Sequence, residues 1–358
     1  MRAPQGILRP PPADVLSETD MTRGIIDTRQ GAADAAHPCV AGPAKVRKIA
    51  MNSAPDTMQA MRASSADPAS LRYDSVPVPR PGPGDVLVQV KATAVTAGEL
   101  TWPEAWPVIP CHDLSGVVAG AGPGESGWRD GDEVFGLIAF DRPGAAAGYT
   151  TVAAADLAAK PAAADHTAAA AIPLGGLTAW QALHSHAQLR PGQHVLVHGG
   201  AGGVGAYAVQ LAAAHGAQVS ATASARDAGY VAGLGAGQVI DYTDRFEDQL
   251  SGVDVVIDPV GGDTMARSWQ VLRPRGILVA IAEEPDGHGG RDDVRSVYFV
   301  VEPDGAQLRE MAGLVDRGQL NAAVSQVFPL SALPEAFAAQ RARPAPGKVI
   351  IEVAGASG

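Results

Sequence analysis

Gly200, Gly202 and Gly205 stand at the spacing G-x-G-x-x-G, with Ala201, Gly203 and Val204 between them. The chemistry such a turn performs is dinucleotide binding. Its first glycine permits a tight turn, its second lets the backbone approach a pyrophosphate, and its third lets a helix pack closely on a strand. The helix N-terminus then offers free N–H groups and positive dipole to the phosphates. Both flanks fit. Val195-Leu196-Val197 is a short apolar, β-branched run suited to a buried parallel strand, and an Ala/Val/Leu segment with helical spacing follows as far as Ala214. Glycine-rich turns arise by chance in a chain with 42 glycines; the strand before this one and the helix after it set it apart.

The choice of nucleotide is read about 20 residues beyond the glycines, where an acidic residue at a strand end holds a ribose 2′-hydroxyl. Here Gln218–Thr222 runs into Ala223-Ser224-Ala225-Arg226, and Asp227 follows only after Arg226. Ser224 offers a hydrogen bond and Arg226 a charge-assisted pair, so the expected cofactor is NADPH; the alternative for Arg226 is a solvated helix start. Other clusters are weaker. Cys111-His112-Asp113 resembles a ligand set on paper, but strand neighbours point to opposite faces, and structural roles are expected for all three. His184 and His186, two apart on a helix, face different ways and read as surface residues; His198 reads as a turn residue ending the strand.

The elements that must position these groups occupy a chain of 358 residues, about two domains' worth at roughly 150 residues each. A hydrophobic content of 46% is ample for real cores, and no apolar run approaches the roughly 20 residues that span a bilayer. A net charge of -11 argues against nucleic-acid and anionic-membrane partners. Two cysteines, Cys39 and Cys111, exclude a disulfide framework or a four-cysteine zinc lobe; a reducing, cytoplasmic setting is expected. Residues 1–56 mix Pro10-Pro11-Pro12 with scattered charges. They read as a disordered extension, or as sequence upstream of a start at Met51, Met58 or Met61.

From there to residue 175, short strands alternate with Pro/Gly turns: Val86–Ala92, Ser115–Ala119, Glu133–Ile138 and Tyr149–Val152. That texture predicts a small β-barrel. Helices are expected over 165–172 and 177–189, and strands at 217–222, 239–241, 253–257 and 276–282 alternate with helical stretches over 176–304. This is the pattern of a doubly wound parallel sheet. Over 305–358 a helix at Gln307–Asp316 precedes a strand at Gly347–Val353 that returns to the barrel.

Several stretches in this order resemble the medium-chain dehydrogenase/reductase superfamily, and within it the zinc-free, NADPH-dependent quinone oxidoreductase branch. They are Pro81-Gly-Pro-Gly-Asp-Val-Leu-Val, His112-Asp-Leu-Ser-Gly-Val-Val, Gly131-Asp-Glu-Val-Phe-Gly, Leu177-Thr-Ala-Trp, Ala201-Gly-Gly-Val-Gly, Asp258-Pro-Val-Gly-Gly and Gly347-Lys-Val-Ile. The resemblance covers about residues 58–353. It implies an α/β chain with a GroES-like β-barrel catalytic domain split around a Rossmann domain, an active site in the cleft between them, and a homodimer or homotetramer.

Zinc alcohol dehydrogenases of the superfamily use Cys, the His of Gly-His-Glu, and a later Cys. This chain carries Thr96 at the first position, keeps His112 at the second, and has neither Cys nor His in Ile172–Leu177 at the third, so no metal is expected. By the same resemblance Thr178 hydrogen-bonds near the nicotinamide and Val260 and Gly261 lie by its ribose. Ala282, Phe299 and Val300 cover the ring, and Tyr242 contacts adenine or phosphate. Thr96 faces substrate or nicotinamide; Trp102, Trp106 and Tyr149 line an acceptor pocket or belong to the barrel core. Catalytic contacts are therefore expected from Thr96, Tyr149 and Thr178. Hydride would pass from the nicotinamide to a quinone or α,β-unsaturated carbonyl, with Glu99, His112, Tyr149 or solvent as proton donor. The alternatives are a zinc-free alcohol/carbonyl dehydrogenase or a pathway-specific reductase on the same fold, or a protein that binds NADPH without turnover.

Overall fold

The computed structural model describes residues 54–124, 126–343 and 345–353. The expectation of a disordered extension over 1–56 lies outside the described residues except at its last three positions, 54–56. Among the described residues no helix is long and apolar enough to cross a membrane.

A hairpin of β1 (Thr57–Arg62) and β2 (Arg72–Pro77) precedes the long strand β3 (Asp85–Val95). β3 is alternating and apolar, and buried along most of its length, because it is the central member of the barrel. It pairs antiparallel with β4 (Asp113–Ala121) and β6 (Tyr149–Ala153). β4 pairs with β5 (Glu133–Leu137), which in turn pairs with β7 (Leu157–Ala159).

The chain then leaves the barrel through α1 (His166–Ala170), whose N-cap Asp165 accepts from Ala168 N–H, and α2 (Pro173–Trp180). Ala170 and Ala171 are small enough to lay α1 directly on Ala92 and Ala94 of β3. The expected helix start at 177 is four residues late: Pro173 occupies the first turn of α2, where its missing N–H costs nothing. The boundary drawn between residues 175 and 176 therefore falls inside a helix. A π-turn over Gln181–His186 continues it.

The parallel sheet contains β8 (His194–Val197), β9 (Gln218–Ala223), β10 (Gln238–Asp241), β11 (Val253–Asp258), β12 (Leu272–Ala280) and β13 (Arg295–Tyr298). Their spatial order is β10-β9-β8-β11-β12-β13. α3 (Gly205–Ala214), α4 (Ala228–Gly233) and α5 (Gly262–Ser268) connect them. The order reverses at β8, where a doubly wound sheet opens its ligand crevice.

After α6 (Gly305–Asp316) the chain returns to the barrel with β14 (Val324–Pro329), α7 (Leu333–Ala342) and β15 (Lys348–Glu352). β15 lies between β14 and β3. One continuous apolar cluster joins Phe135, Leu137 and Ala158 of the barrel to Leu177, Val197, Leu308 and Met311, so the two halves share a core.

Candidate functional site

At the C-terminal end of β8 the chain turns at Gly199, which adopts φ 61°. The turn position expected at Gly200 thus falls one residue earlier. Gly200 is small for another reason: a Cβ there would come within 2.9 Å of Val231 Cγ1. Gly205 does what the motif requires, since a Cβ on it would lie 2.2 Å from Gly199 O. Gly200 N donates to Thr222 O and Gly202 N to Gly199 O. The N–H groups of Ala201, Gly203 and Val204 have no protein acceptor among the described residues. A bare cradle of amides that a side chain would fill fits the pyrophosphate of a nicotinamide dinucleotide.

The adenosine end is expected where β9 stops. Ser224 Oγ donates to Asp227 Oδ2 at 2.7 Å, and Arg226 Nε stands 3.5 Å from the same oxygen. Tyr242, 63% exposed, is tied in by its N–H to Ala223 O. Arg226 also donates to Arg343 O, while Arg343 Nη2 donates to Ala201 O of the glycine turn. Arg226 is therefore no isolated helix-start residue. Arg343 is a second cation at this end, and only the folded return of the chain brings it there.

Around Val260 and Gly261, expected beside the nicotinamide, Asp258 Oδ1 accepts from both N–H groups. Burial raises the Asp258 pKa above its usual range. Val260 is half-exposed beside Gly199. Ala282 is exposed, and its neighbour Glu283 accepts from Gly262 N. Val300 is 55% exposed and free to cover a ring. Phe299 is not: its ring lies 4.3 Å from that of His186, and it packs on the shared core. That pairing half-buries His186, and His184 packs between Trp180 and His215, so neither histidine is simply a surface residue.

Thr178 also differs from expectation. It is buried, and its hydroxyl donates to Leu174 O at 2.6 Å, the habitual back-bond of a mid-helix threonine. Its proton is used within α2, which leaves only acceptor lone pairs for a carboxamide N–H. His198, expected in the turn, is fully buried. It bonds Thr222 Oγ1 and Ser268 Oγ across the sheet, and burial pushes its pKa down to about 3.

Where the barrel meets the nucleotide turn, five side chains interlock. Val349 pairs with Val95 in the β15–β3 register, so Lys348, one step earlier, comes opposite Thr96. Lys348 Nζ donates to Thr96 Oγ1 at 2.9 Å and lies 2.9 Å from Asp113 Oδ2. The lysine is 4% exposed and the aspartate 0%. Asp113 Oδ1 accepts from Leu174 N, which fixes the carboxylate from the far side. Glu99 Oε1 accepts from Thr96 N and from Cys111 Sγ, while Glu99 Oε2 is buried with no partner among the described residues. Burial raises the Glu99 pKa to about 7, against the lowering effect of the Thr96 N–H and of Lys348. Burial also pushes the Cys111 thiol up. Cys111 has φ 71° and precedes β4, so turn geometry rather than strand alternation sends Cys111, His112 and Asp113 to separate partners.

His112 Nδ1 is 3.2 Å from Ile138 O, and its ring meets Phe140 at 5.2 Å. Trp102 meets the same Phe140 edge-on at 5.2 Å. Trp102 and Phe140 are each at least a third exposed, and with His112 they form an aromatic cluster in which the sequence singled out Trp102 and His112 but not Phe140. Trp106 packs on the barrel core. Tyr149 does not join this site. It pairs with Gln89, roughly 20 Å along β3 from Thr96, and lines a separate cavity of about 320 Å³ with Tyr73, Gln89 and Glu352. Strand alternation and register, which its residue type does not reveal, put it there. Among the described residues no three His, Cys, Asp or Glu side chains converge to hold a metal ion.

Two family models match the chain: the alcohol dehydrogenase GroES-like domain over residues 82–162 and the zinc-binding dehydrogenase over residues 234–351. A probable zinc-binding oxidoreductase, mitochondrial, of Arthroderma benhamiae is 31% identical over 79% of this chain and 93% of its own. The chloroplastic NADPH-dependent alkenal/one oxidoreductase of Arabidopsis thaliana is 34% identical over 68% of this chain and 64% of its own. The quinone oxidoreductase structure from Coxiella burnetii superposes with a TM-score of 0.76 at 28% identity, over 83% of this chain and 100% of that one.

Proposed function

Because the chain belongs to the medium-chain dehydrogenase/reductase superfamily, in its quinone-oxidoreductase-like branch, we propose that it is a zinc-independent, NADPH-dependent oxidoreductase. Its acceptor would be a quinone or an α,β-unsaturated carbonyl, reduced by hydride transfer. The observation that carries the reading is the reach of one side chain. Lys348 Cδ lies 3.7 Å from where a Cβ on Gly203 of the nucleotide turn would stand, and its Nζ lies 2.9 Å from Thr96, the residue expected to face the acceptor. Cofactor cradle and acceptor end are therefore immediate neighbours.

When bound, a reduced nicotinamide supplies a hydride from its C4 to an electrophilic carbon. The protein's part is positioning and electrostatics. The free amides of Ala201, Gly203 and Val204 bind the pyrophosphate, and Val260 and Val300 border the nicotinamide half. Trp102 and Phe140 give a planar acceptor an apolar face and exclude water from one side of it. Arg226 and Arg343 favour the 2′-phosphate of NADPH over a bare ribose, while the Ser224 hydroxyl, whose proton goes to Asp227, ties back that carboxylate. Zinc independence is supported by the chemistry of the donor positions: Thr96 faces an ammonium, and residues 172–177 hold no nitrogen or sulfur ligand.

The test is NADPH consumption by purified, chelator-treated protein, with a quinone and a conjugated enone offered in parallel. Turnover of either, unchanged by chelator, is expected. Tight NADPH binding without turnover on both would replace this reading with a binding-only role, and chelator-sensitive turnover would remove zinc independence.

A further inference from the structure

The contact between Lys348 and Thr96 has a fixed polarity. An ammonium has three donors and no lone pair, so in a 2.9 Å contact the threonine oxygen must accept. The hydroxyl proton of Thr96 is thereby turned away from the lysine, and it has no acceptor among the described residues. Thr96 is part-exposed, whereas Lys348 and Asp113 are buried, so the hydroxyl is the only member of the trio a small molecule can touch. The ammonium is held where it is by charge and packing. Asp113 Oδ2 holds the ammonium, Leu174 N holds Asp113, and the lysine stem lies against Gly203.

We propose that Asp113, Lys348 and Thr96 form an oxyanion-binding relay in which the Thr96 hydroxyl, polarised by the buried ammonium, donates to the carbonyl oxygen of the acceptor. Thr96 is then a catalytic residue, and Lys348 and Asp113 are positioning residues that act through it. The inference deepens the reductase reading and rests on it. When hydride reaches the β-carbon of an enone, a C–H bond forms there and the C=C π pair shifts toward the carbonyl. The oxygen gains the negative charge while the cofactor is oxidised. Thr96 O–H strengthens its hydrogen bond to that oxygen and keeps its proton; solvent later supplies the proton taken up at the α-carbon. A fixed donor aimed at developing charge in a partly desolvated site requires no reorganisation at the moment of reaction. The ammonium end of the ion pair, the pole that faces Thr96, takes the polarising place that a Lewis acid holds in a metal enzyme.

The experiment uses the full chain with bound NADP⁺ and 4-nitrophenol, whose phenolate absorbs apart from the phenol and mimics the charged oxygen. In the parent, the apparent pKa of bound 4-nitrophenol is expected to fall by about one unit or more relative to Thr96→Val, with Thr96→Ser retaining most of the shift. The double variant Asp113→Asn/Lys348→Met removes the pair without leaving a buried charge, and should behave like Thr96→Val. In turnover with an enone, Thr96→Val is expected to lower kcat on the order of 100-fold with KM within about threefold. An equal phenolate pKa in parent and Thr96→Val, or no binding of 4-nitrophenol to the parent, overturns the relay. A parent that shifts the phenolate but turns over neither quinone nor enone supports the relay as an anion site while defeating the reductase reading.

Discussion

Cys111 Sγ donates to Glu99 Oε1 across 3.6 Å inside the barrel, from a backbone held at φ 71°. Together with Thr96 N–H it satisfies one carboxyl oxygen and leaves Oε2 buried without a partner among the described residues. This asymmetry is why burial outweighs the two hydrogen bonds and raises Glu99 to a pKa of about 7. A carboxyl whose folded pKa is raised favours folding fully below its unfolded pKa near 4.5, and that contribution is lost as pH rises through about 7. Glu99→Gln should therefore gain stability relative to the parent between pH 5 and 8, by on the order of 3 kcal/mol. Parallel denaturant titrations at those two pH values decide it; a difference that does not grow with pH would mean the carboxyl ionises normally.

Arg226 and Arg343 predict a split between cofactors. Each single alanine variant should weaken NADPH binding about tenfold and leave NADH within about twofold, because a charge-assisted contact to a phosphate is lost. Calorimetric titration of both nucleotides measures the ratio. If Arg343→Ala weakens both nucleotides alike, the arginine braces the glycine turn through Ala201 O and does not read the 2′-phosphate.

Gly205→Ala would drive a Cβ to 2.2 Å from Gly199 O and 2.8 Å from Gly199 C. Backbone cannot yield as a side-chain tip does, so the turn must shift, at about 1–3 kcal/mol. Nucleotide affinity is expected to drop at least tenfold with the protein still folded. Unchanged affinity and an unchanged melting temperature would show that the turn accommodates the methyl.

His198 makes the opposite pH prediction to Glu99. Its folded pKa is depressed to about 3 by burial, so its contribution is complete above pH 6.5 and is lost as pH falls toward 3. His198→Gln should flatten the decline in stability between pH 6 and 4, where the parent approaches a loss on the order of several kcal/mol. Identical slopes in the two proteins would mean the imidazole charges without disturbing Thr222 and Ser268.

The local elements were legible in the sequence wherever one physical rule dominated. The run into Gly200–Gly205 declared a strand, a turn and a helix, and Asp165 announced α1. β14 and α7 were not foreseen. β14 is an edge strand whose half-buried residues lack clean alternation, and α7 buries only Leu333, Ala336 and Phe337. The glycine run was legible from its spacing and its flanks, and Ser224 and Arg226 stood out by their place at the end of the second strand, whereas Thr96 came only from the family resemblance. Lys348 and Arg343 were not legible, because their partners lie 252 and 142 positions away and only the return of the chain supplies the contact. Tyr149 and Thr178 carry suitable groups, but register and an intrahelical bond direct them elsewhere.

The return through β15 has a consequence for the life of the chain before it is fully made. Barrel strands β1–β7 and the whole parallel sheet precede β15 in sequence, so on the ribosome both can collapse before Lys348 is available. Until then Asp113 lacks its counter-ion and Thr96 its polarising neighbour. The glycine turn is equally unfinished until then, because Arg343, which donates to Ala201 O, arrives in the same closing segment.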